Sequence, residues 1–267
     1  MSEYIIKGET LTGIADAIRG KTGGTDPVAV SDMAAQIDGI QAGGGGDDVL
    51  DALIDRSITE ISSSSVTSIG SYAFYSCIEL TTVDFPAATS IGSYAFQYCR
   101  SLTTVDFPAA TSIGSYAFQY CNSLTTANFP VATSIGGSAF RSCSELTTTN
   151  FPVATSIETA AFQSCIGLTT VDFPVATSIG TSAFRSCSEL KSLLLRNNKV
   201  CTLSNTNAFN STPIASGTGY IYVPSALIEQ YKAATNWSTY TDQFRALEDY
   251  TVDGTVTGEL DPSKTGT

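Results

Sequence analysis

The stretch Ile91-Gly92-Ser93-Tyr94-Ala95-Phe96-Gln97-Tyr98-Cys99-Arg100-Ser101-Leu102-Thr103-Thr104-Val105-Asp106-Phe107-Pro108-Ala109-Ala110-Thr111-Ser112 decides the fold, because the chain keeps rewriting it. Cys77, Cys99, Cys121, Cys143, Cys165 and Cys187 stand 22 residues apart. The same interval links Ile69 through to Ile179, the Ala-Phe pairs from Ala73-Phe74 to Ala183-Phe184, and Leu80 through to Leu190. Six copies of a motif that reads roughly SIGxxAFxxCxxLTTxDFPxAT run from Ser68 to about Leu195 without an insertion. A fixed period of this length is the signature of a solenoid, in which each copy is one rung and buries its apolar residues only against its neighbours.

Each rung can be read physically. In Leu80-Thr81-Thr82-Val83-Asp84-Phe85, Val83 and Phe85 alternate with Thr82 and Asp84, the period of a strand with one buried face. Pro86 ends it, Thr89 to Gly92 supply a second short extended piece, and Ser93 to Cys99 make a tight helical or turn-like corner. With strands stacked about 4.8 Å apart, six rungs predict a rod or arc roughly 30 Å long.

Comparing the copies with one another separates core from surface. The Ile, Ala, Phe, Cys and Leu that never change are the core ladders; positions that vary are predicted to face solvent. The freest lie beside the Ala-Phe pair and the Cys, giving a candidate binding edge of Tyr75, Gln97, Tyr98, Arg100, Gln119, Tyr120, Asn122, Arg141, Gln163 and Arg185. Tyr72, Tyr94 and Tyr116, with Tyr98 and Tyr120, gather in the first half of the solenoid, either as a contact surface or as packing shared by similar copies. An alternative binding face is the strand ladder Thr82, Asp84, Thr104, Asp106, Thr126, Asn128, Thr148, Asn150, Thr170 and Asp172. Stacked carboxylates there would suit a cation or a glycan, whereas Asn breaking up the like charges suits a plain solvated sheet, which the pattern favours.

Composition excludes other chemistry. The 267 residues carry 25 Asp plus Glu against 13 Lys plus Arg, for a net charge of −12, and contain no His. No catalytic or metal site that needs imidazole can be built. Lys is absent between Lys21 and Lys191, so no basic patch exists for nucleic acid. Six of the seven Cys present one sulfur per rung on parallel vectors, which suits neither metal nor disulfide and predicts buried free thiols. The expectation is therefore a non-enzyme with no cofactor and no metal. Residues 1–20 show no export signal and no window approaches a membrane span, so the reading expects synthesis in a cytoplasm and no membrane insertion.

The flanks differ from the rungs. Residues 1–40 read as a small helical attachment or oligomerisation module, with Leu11, Ile14, Ala15 and Ile18 on one helix, and Met33, Ala34, Ile37 and Ile40 on a second that Ser31 caps. Residues 41–47, containing Gly43 to Gly46, read as a linker. Residues 48–66 read as an N-terminal cap and half rung, with Leu50, Leu53 and Ile54 on a helical face and Ile58 and Ile61 in register with Leu80 and Val83. The solenoid occupies 67–215, ending in a seventh rung at Asn205 to Phe209 stretched by three residues. Residues 216–267 read as a C-terminal cap and tail, with Leu227, Tyr231 and Ala234 laid over the last rung.

The pattern IGxxAFxxCxxLxxxxFP resembles the leucine-rich repeats of the BspA, or treponemal, type, one residue shorter than their usual unit. The resemblance implies a mainly β solenoid: a leucine-rich-repeat-like right-handed coil with short helical or turn corners, a helical N-terminal module and an α/β C-terminal cap. It also implies a binding scaffold, because members are mostly bacterial surface proteins and adhesins, with others in phages. Separately, Gly8-Glu9-Thr10-Leu11-Thr12-Gly13-Ile14-Ala15-Asp16-Ala17-Ile18-Arg19 and Asp32-Met33-Ala34 resemble the N-terminal segment of phage and prophage tail-region proteins. Together they imply a virion-associated protein of the tail tip or fibre that attaches to a host cell. Expected partners are a host cell-surface protein or glycan and, through residues 1–40, other virion proteins or copies of itself as a homo-oligomer. The alternatives are a bacterial cell-surface adhesin of the BspA type, or a structural protein whose solenoids stack.

Overall fold

The computed structural model describes residues 4–6, 40–42 and 58–250. Each rung is held to its neighbours by three hydrogen-bonded ladders. The first is the three-residue strand, as in Thr82–Asp84, Thr104–Asp106, Thr126–Asn128, Thr148–Asn150 and Thr170–Asp172. Its pairing is parallel and in register at the repeat interval, Thr104 with Thr126 and Thr126 with Thr148, although it is divided into three hydrogen-bonded runs. The second ladder is continuous: seven two-residue strands, from Ser68–Ile69 to Thr202–Leu203, form one parallel sheet.

The third ladder runs through the corner, which is a chain of turns without helix. Alternate amides reach the next rung, Tyr94 N to Ser115 O at 3.0 Å, Phe96 N to Ala117 O at 2.7 Å and Tyr98 N to Gln119 O at 2.9 Å. The amides between them close four-residue turns, such as Gln97 N to Tyr94 O at 3.2 Å. This zigzag forces two residues per corner into the left-handed region, among them Tyr94 (φ 60°), Tyr98 (φ 65°), Ser138 (φ 55°) and Ser142 (φ 62°). Left-handed backbone costs an L-residue on the order of 1 kcal/mol or more, which the inter-rung hydrogen bonds offset.

Inside, the invariant residues stack. Phe74, Phe96, Phe118, Phe140, Phe162, Phe184 and Phe209 form one column with ring centroids 5.0 to 5.7 Å apart. Phe107, Phe129, Phe151 and Phe173 form a second, meeting the first edge-on or tilted at about 6 Å. Burying one such ring contributes roughly 1.5–3 kcal/mol, so the ladder is where the rungs find their stability. The thiols have a more specific place than filler. Cys99, Cys121, Cys143, Cys165 and Cys187 donate their S–H to the carbonyl of the Phe 25 residues earlier, at 3.0 to 3.1 Å. All seven Cys are buried thiols outside any disulfide.

At the C-terminal end, Phe209 stacks on Phe184, so the last rung carries three extra residues. Strands Tyr220–Val223 and Phe244–Ala246 add to Ser192–Leu194, and the short helix Ile228–Ala233 turns Tyr231 inward. Tyr231 Oη accepts from Cys201 N at 2.9 Å, and Trp237 Nε1 donates to Cys201 O at 2.6 Å. These two bonds fasten the cap to the seventh cysteine, the one outside the 22-residue series.

At the other end, Glu60–Ser62 pairs with Thr82–Asp84, Ile61 opposite Val83. Tyr4–Ile6 pairs parallel with Glu60–Ser62, and Ile40–Ala42 pairs antiparallel with Tyr4–Ile6. This corrects the reading of Ile40 as a helical residue and of Gln41 and Ala42 as linker. All three sit in a strand that extends the sheet by pairing with Tyr4–Ile6, which itself covers the first rung's edge amides and carbonyls. The helices expected over 11–18 and from Ser31 to Ile37, the Gly43–Gly46 linker and the capping helix over 48–56 lie outside the described residues.

Candidate functional site

The corner places the tyrosines in two columns. Tyr72, Tyr94 and Tyr116 stack with centroids 4.7 and 4.8 Å apart and planes within 5°. Tyr98 and Tyr120 stack beside them at 4.9 Å and 3°, and Tyr75 closes the near end of this second column edge-on, 5.7 Å from Tyr98. All six rings are half-buried. Arg100 lies over Tyr98, its guanidinium carbon 5.9 Å from the ring centroid.

Gln97 and Gln119 are corrected by this geometry. Read as solvent-facing, they are buried, 8% and 5% exposed, and Gln97 Nε2 donates to Gln119 Oε1 in the next rung. The cause is the flanking tyrosines: each Gln lies between a Tyr three residues before it and another directly after it. Where Ala160 and Ser164 flank the equivalent position, Gln163 is only half-buried. Arg141 is half-buried and Arg185 exposed at the same register position, and neither makes a side-chain hydrogen bond or ion pair among the described residues. Asn122 is half-buried and donates from Nδ2 to Ser142 O at 3.0 Å, which ties it to the rung above.

The alternative face is largely engaged with itself. Thr82, Asp84, Thr104, Asp106, Thr148 and Asn150 are exposed, and Thr126, Asn128, Thr170 and Asp172 half-buried. Asn128 donates to Asp106 at 2.8 Å and Asn150 to Asn128 at 2.6 Å, while Arg196 forks onto Asp172 at 2.8 to 3.1 Å. Asp106 is thus separated from Asp172 by the two amides and Asp172 is paired with a cation, while Asp84 stands exposed on the rung next to Asp106, the arrangement of a solvated sheet. Among the described residues no group of three or more His, Cys, Asp or Glu stands close enough to hold a metal.

Two features escape the sequence reading. Val131, Val153 and Val175 form a stripe of exposed apolar residues, 39–40% exposed, beside the prolines of the later rungs. The signal was the change from Ala87 and Ala109 to Val at this position. The second is the thiol environment: burial pushes the Cys187 and Cys201 thiols up to about 12 and raises those of Cys121, Cys143 and Cys165 well above normal. Such thiols are neutral donors with no nucleophilic character.

A coil of parallel strands with one apolar ladder per repeat position defines a leucine-rich repeat solenoid. The chain belongs to the BspA-type leucine-rich repeat family, whose model matches residues 54–154 and 111–231 in six copies. Among solved structures it is similar to a leucine-rich repeat protein of T. pallidum, with 22% identity over 65% of this chain and 82% of that one and a TM-score of 0.53, a likeness of fold. Others are a leucine-rich cell-surface protein from Faecalibacterium prausnitzii (33% identity, 53% of this chain, 40% of that one, TM-score 0.48) and a leucine-rich repeat protein from Bacteroides ovatus (21%, 63%, 56%, 0.42). The chain thus spans less than two thirds of the length of these last two. No curated protein matches significantly. The tail-like text over residues 8–34 lies outside the matched region. No helix among the described residues is long and apolar enough to cross a membrane.

Proposed function

We propose that this protein is a surface-recognition protein, an adhesin in the broad sense, that binds its partner through the tyrosine-bearing corner of its first three full rungs. One observation carries the reading. The fourth to sixth rungs build the same corner, with the same left-handed residues and the same ladder, from Ser138, Ala160, Ser182, Ser142, Ser164 and Ser186. The corner therefore does not require tyrosine, and six half-exposed rings gathered on one edge are the residues of a contact surface. Family membership supports the reading, since such repeats are used as binding scaffolds.

The carrier is a cell or virion surface. The tail-like text of residues 8–34 and Gly43 to Gly46 favour a virion, on which residues 1–40 join the particle or a second copy and the rod is held outward; several rods on one particle would bind by avidity. The test is flow cytometry of the fluorescently labelled full chain on bacterial and epithelial cells. Binding should fall at least tenfold when Tyr94, Tyr98, Tyr116 and Tyr120 are changed to Ser. Unchanged binding would move the site off this corner.

A further inference from the structure

The Pro-Val corners of the third, fourth and fifth rungs put an exposed apolar ridge on the solenoid. Val131, Val153 and Val175 are 39–40% exposed and hold the same position in their rungs. They follow one another in line because the strands beside them do: Asn128 pairs with Asn150 before the corner, and Ser134 with Ser156 and Ser156 with Ser178 after it. Pro130, Pro152 and Pro174 lie half-buried next to them. Ile78 and Ile166 are more exposed, at 48%, but Arg100, Asn122 and Ser144 hold the same position on the rungs between them. Single apolar residues on a surface are ordinary, whereas apolar residues on successive rungs mark a contact.

The charges along the ridge are sorted by sign. Asp84 and Asp106, at the end of the strand that leads into this corner, are exposed on the first and second rungs. Alongside the ridge the equivalent residues carry no net charge, since Asn128 and Asn150 are amides and Asp172 is paired with Arg196 at 2.8 Å. On the sixth rung Asn197 donates from Nδ2 to Val175 O and Ala176 O, both at 3.4 Å, and so closes the ridge. Two residues on, Lys199 is exposed and makes no ion pair among the described residues. One end is acidic, the middle apolar and neutral, and the other end basic.

We infer that two copies of the chain pair along this ridge, side by side and antiparallel, about a two-fold axis through Val153. A two-fold contact must be self-complementary, and two arrangements lay the ridge on itself. With the copies parallel, every rung faces its own equivalent, so Lys199 meets Lys199 and Asp106 meets Asp106. With the copies antiparallel, Val153 faces Val153 of the second copy, Val131 faces Val175, and the second rung faces the sixth. Asp106 then stands against Lys199 at both ends of the contact, and this complementarity selects the antiparallel pair. Three valines and three prolines bury less than the roughly 1,200 Å² of a stable complex, so the pair is weak, sensitive to salt and formed where chains are concentrated. The contact uses none of the corner tyrosines and stands or falls apart from their role in recognition.

The test is disulfide trapping of the full chain with oxidised glutathione, against the unsubstituted chain, whose thiols are buried, as background. A disulfide needs Cα atoms within about 7 Å of each other. Val153→Cys should therefore cross-link to itself. Val131→Cys and Val175→Cys should cross-link when mixed, and at least tenfold less when each is alone, because like positions are then two rungs, roughly 10 Å, out of line. Sedimentation at low salt reads the charges: Lys199→Glu and Asp106→Lys should each weaken association severalfold, and the chain carrying both should recover it. Self-linking of Val131→Cys as fast as that of Val153→Cys would overturn the antiparallel order. Linking of Val153→Cys no faster than background would overturn the ridge as an interface, and so would an association that neither charge change alters.

Discussion

Replacing Cys121 by Ala and, separately, by Ser distinguishes two accounts of the thiol ladder. Cys121 is completely buried, and its Sγ donates to Phe96 O at 3.1 Å, a carbonyl that also accepts from Cys99 N at 3.1 Å. Ala removes one buried heavy atom, about 0.8 kcal/mol of transfer plus a cavity contribution, together with a hydrogen bond of about 0.5–1 kcal/mol. The sum is about 2 kcal/mol. Phe96 O is not orphaned, because Cys99 N remains on it, so the loss stops there. Ser gives up the same apolar transfer but keeps a donor aimed at Phe96 O, and should cost about 1 kcal/mol. If the sulfur were only a small hydrophobe, Ser would be the worse variant, since burying a hydroxyl without a partner costs roughly 1–3 kcal/mol. Urea unfolding of the three proteins in reductant, compared at a common m-value, reads the order. Ser less stable than Ala would refute the S–H to carbonyl account.

Three further outcomes follow from the core and the cap. Thiol reagent should label the native chain slowly and react with seven thiols at once in denaturant; rapid native labelling would contradict the buried ladder. Alkali should unfold the solenoid: the Cys187 and Cys201 thiols are pushed to about 12 by burial against an ordinary value of 9.0, so between these limits the unfolded chain has released protons that the folded chain retains. Stability is then full below pH 9 and falls as pH rises towards 12, by up to about 1.4 kcal/mol per pH unit for each such thiol; a flat profile to pH 11 in chemical unfolding would contradict it. Tyr231→Phe takes the acceptor from Cys201 N in the buried cap contact and should cost about 1–3 kcal/mol, read as a lower urea midpoint, whereas a neutral change would mean that the cap is not fastened there.

What the sequence disclosed was whatever repeats. The 22-residue interval sets the register of the ladders, because a rung can bury Ile91, Phe96 or Leu102 only beneath its equivalents in the next. Relations between unlike positions stayed hidden. Variation between copies marked Gln97 and Gln119 as surface, yet their burial depends on Tyr residues beside them and on each other across the rung, a relation that appears only once the columns are stacked. The left-handed corner residues were equally hidden, since the usual signal for that conformation is Gly or Asn, and here Tyr, Ser and Ala adopt it because the ladder holds them. The sulfur contact links residues 25 apart in a 22-residue repeat, an offset that composition does not reveal. The candidate edge therefore retains Tyr75, Tyr98, Arg100, Tyr120, Asn122, Arg141, Gln163 and Arg185 as exposed or half-buried residues, gains Tyr72, Tyr94 and Tyr116, and gives up the two buried glutamines to the interior.

The central claim is that the corner tyrosines are present for contact and the corner itself does without them. The variant carrying Ser at 94, 98, 116 and 120 tests both halves together. Loss of the Tyr72–Tyr94, Tyr94–Tyr116 and Tyr98–Tyr120 stacks removes about 0.5–1.5 kcal/mol each. The protein should remain a cooperatively unfolding solenoid with an unchanged m-value, and its surface binding, measured where it is fully folded, should fall at least tenfold. A chain that no longer folds would show that the tyrosines serve the solenoid, and a folded chain that binds as before would show that they serve something other than recognition.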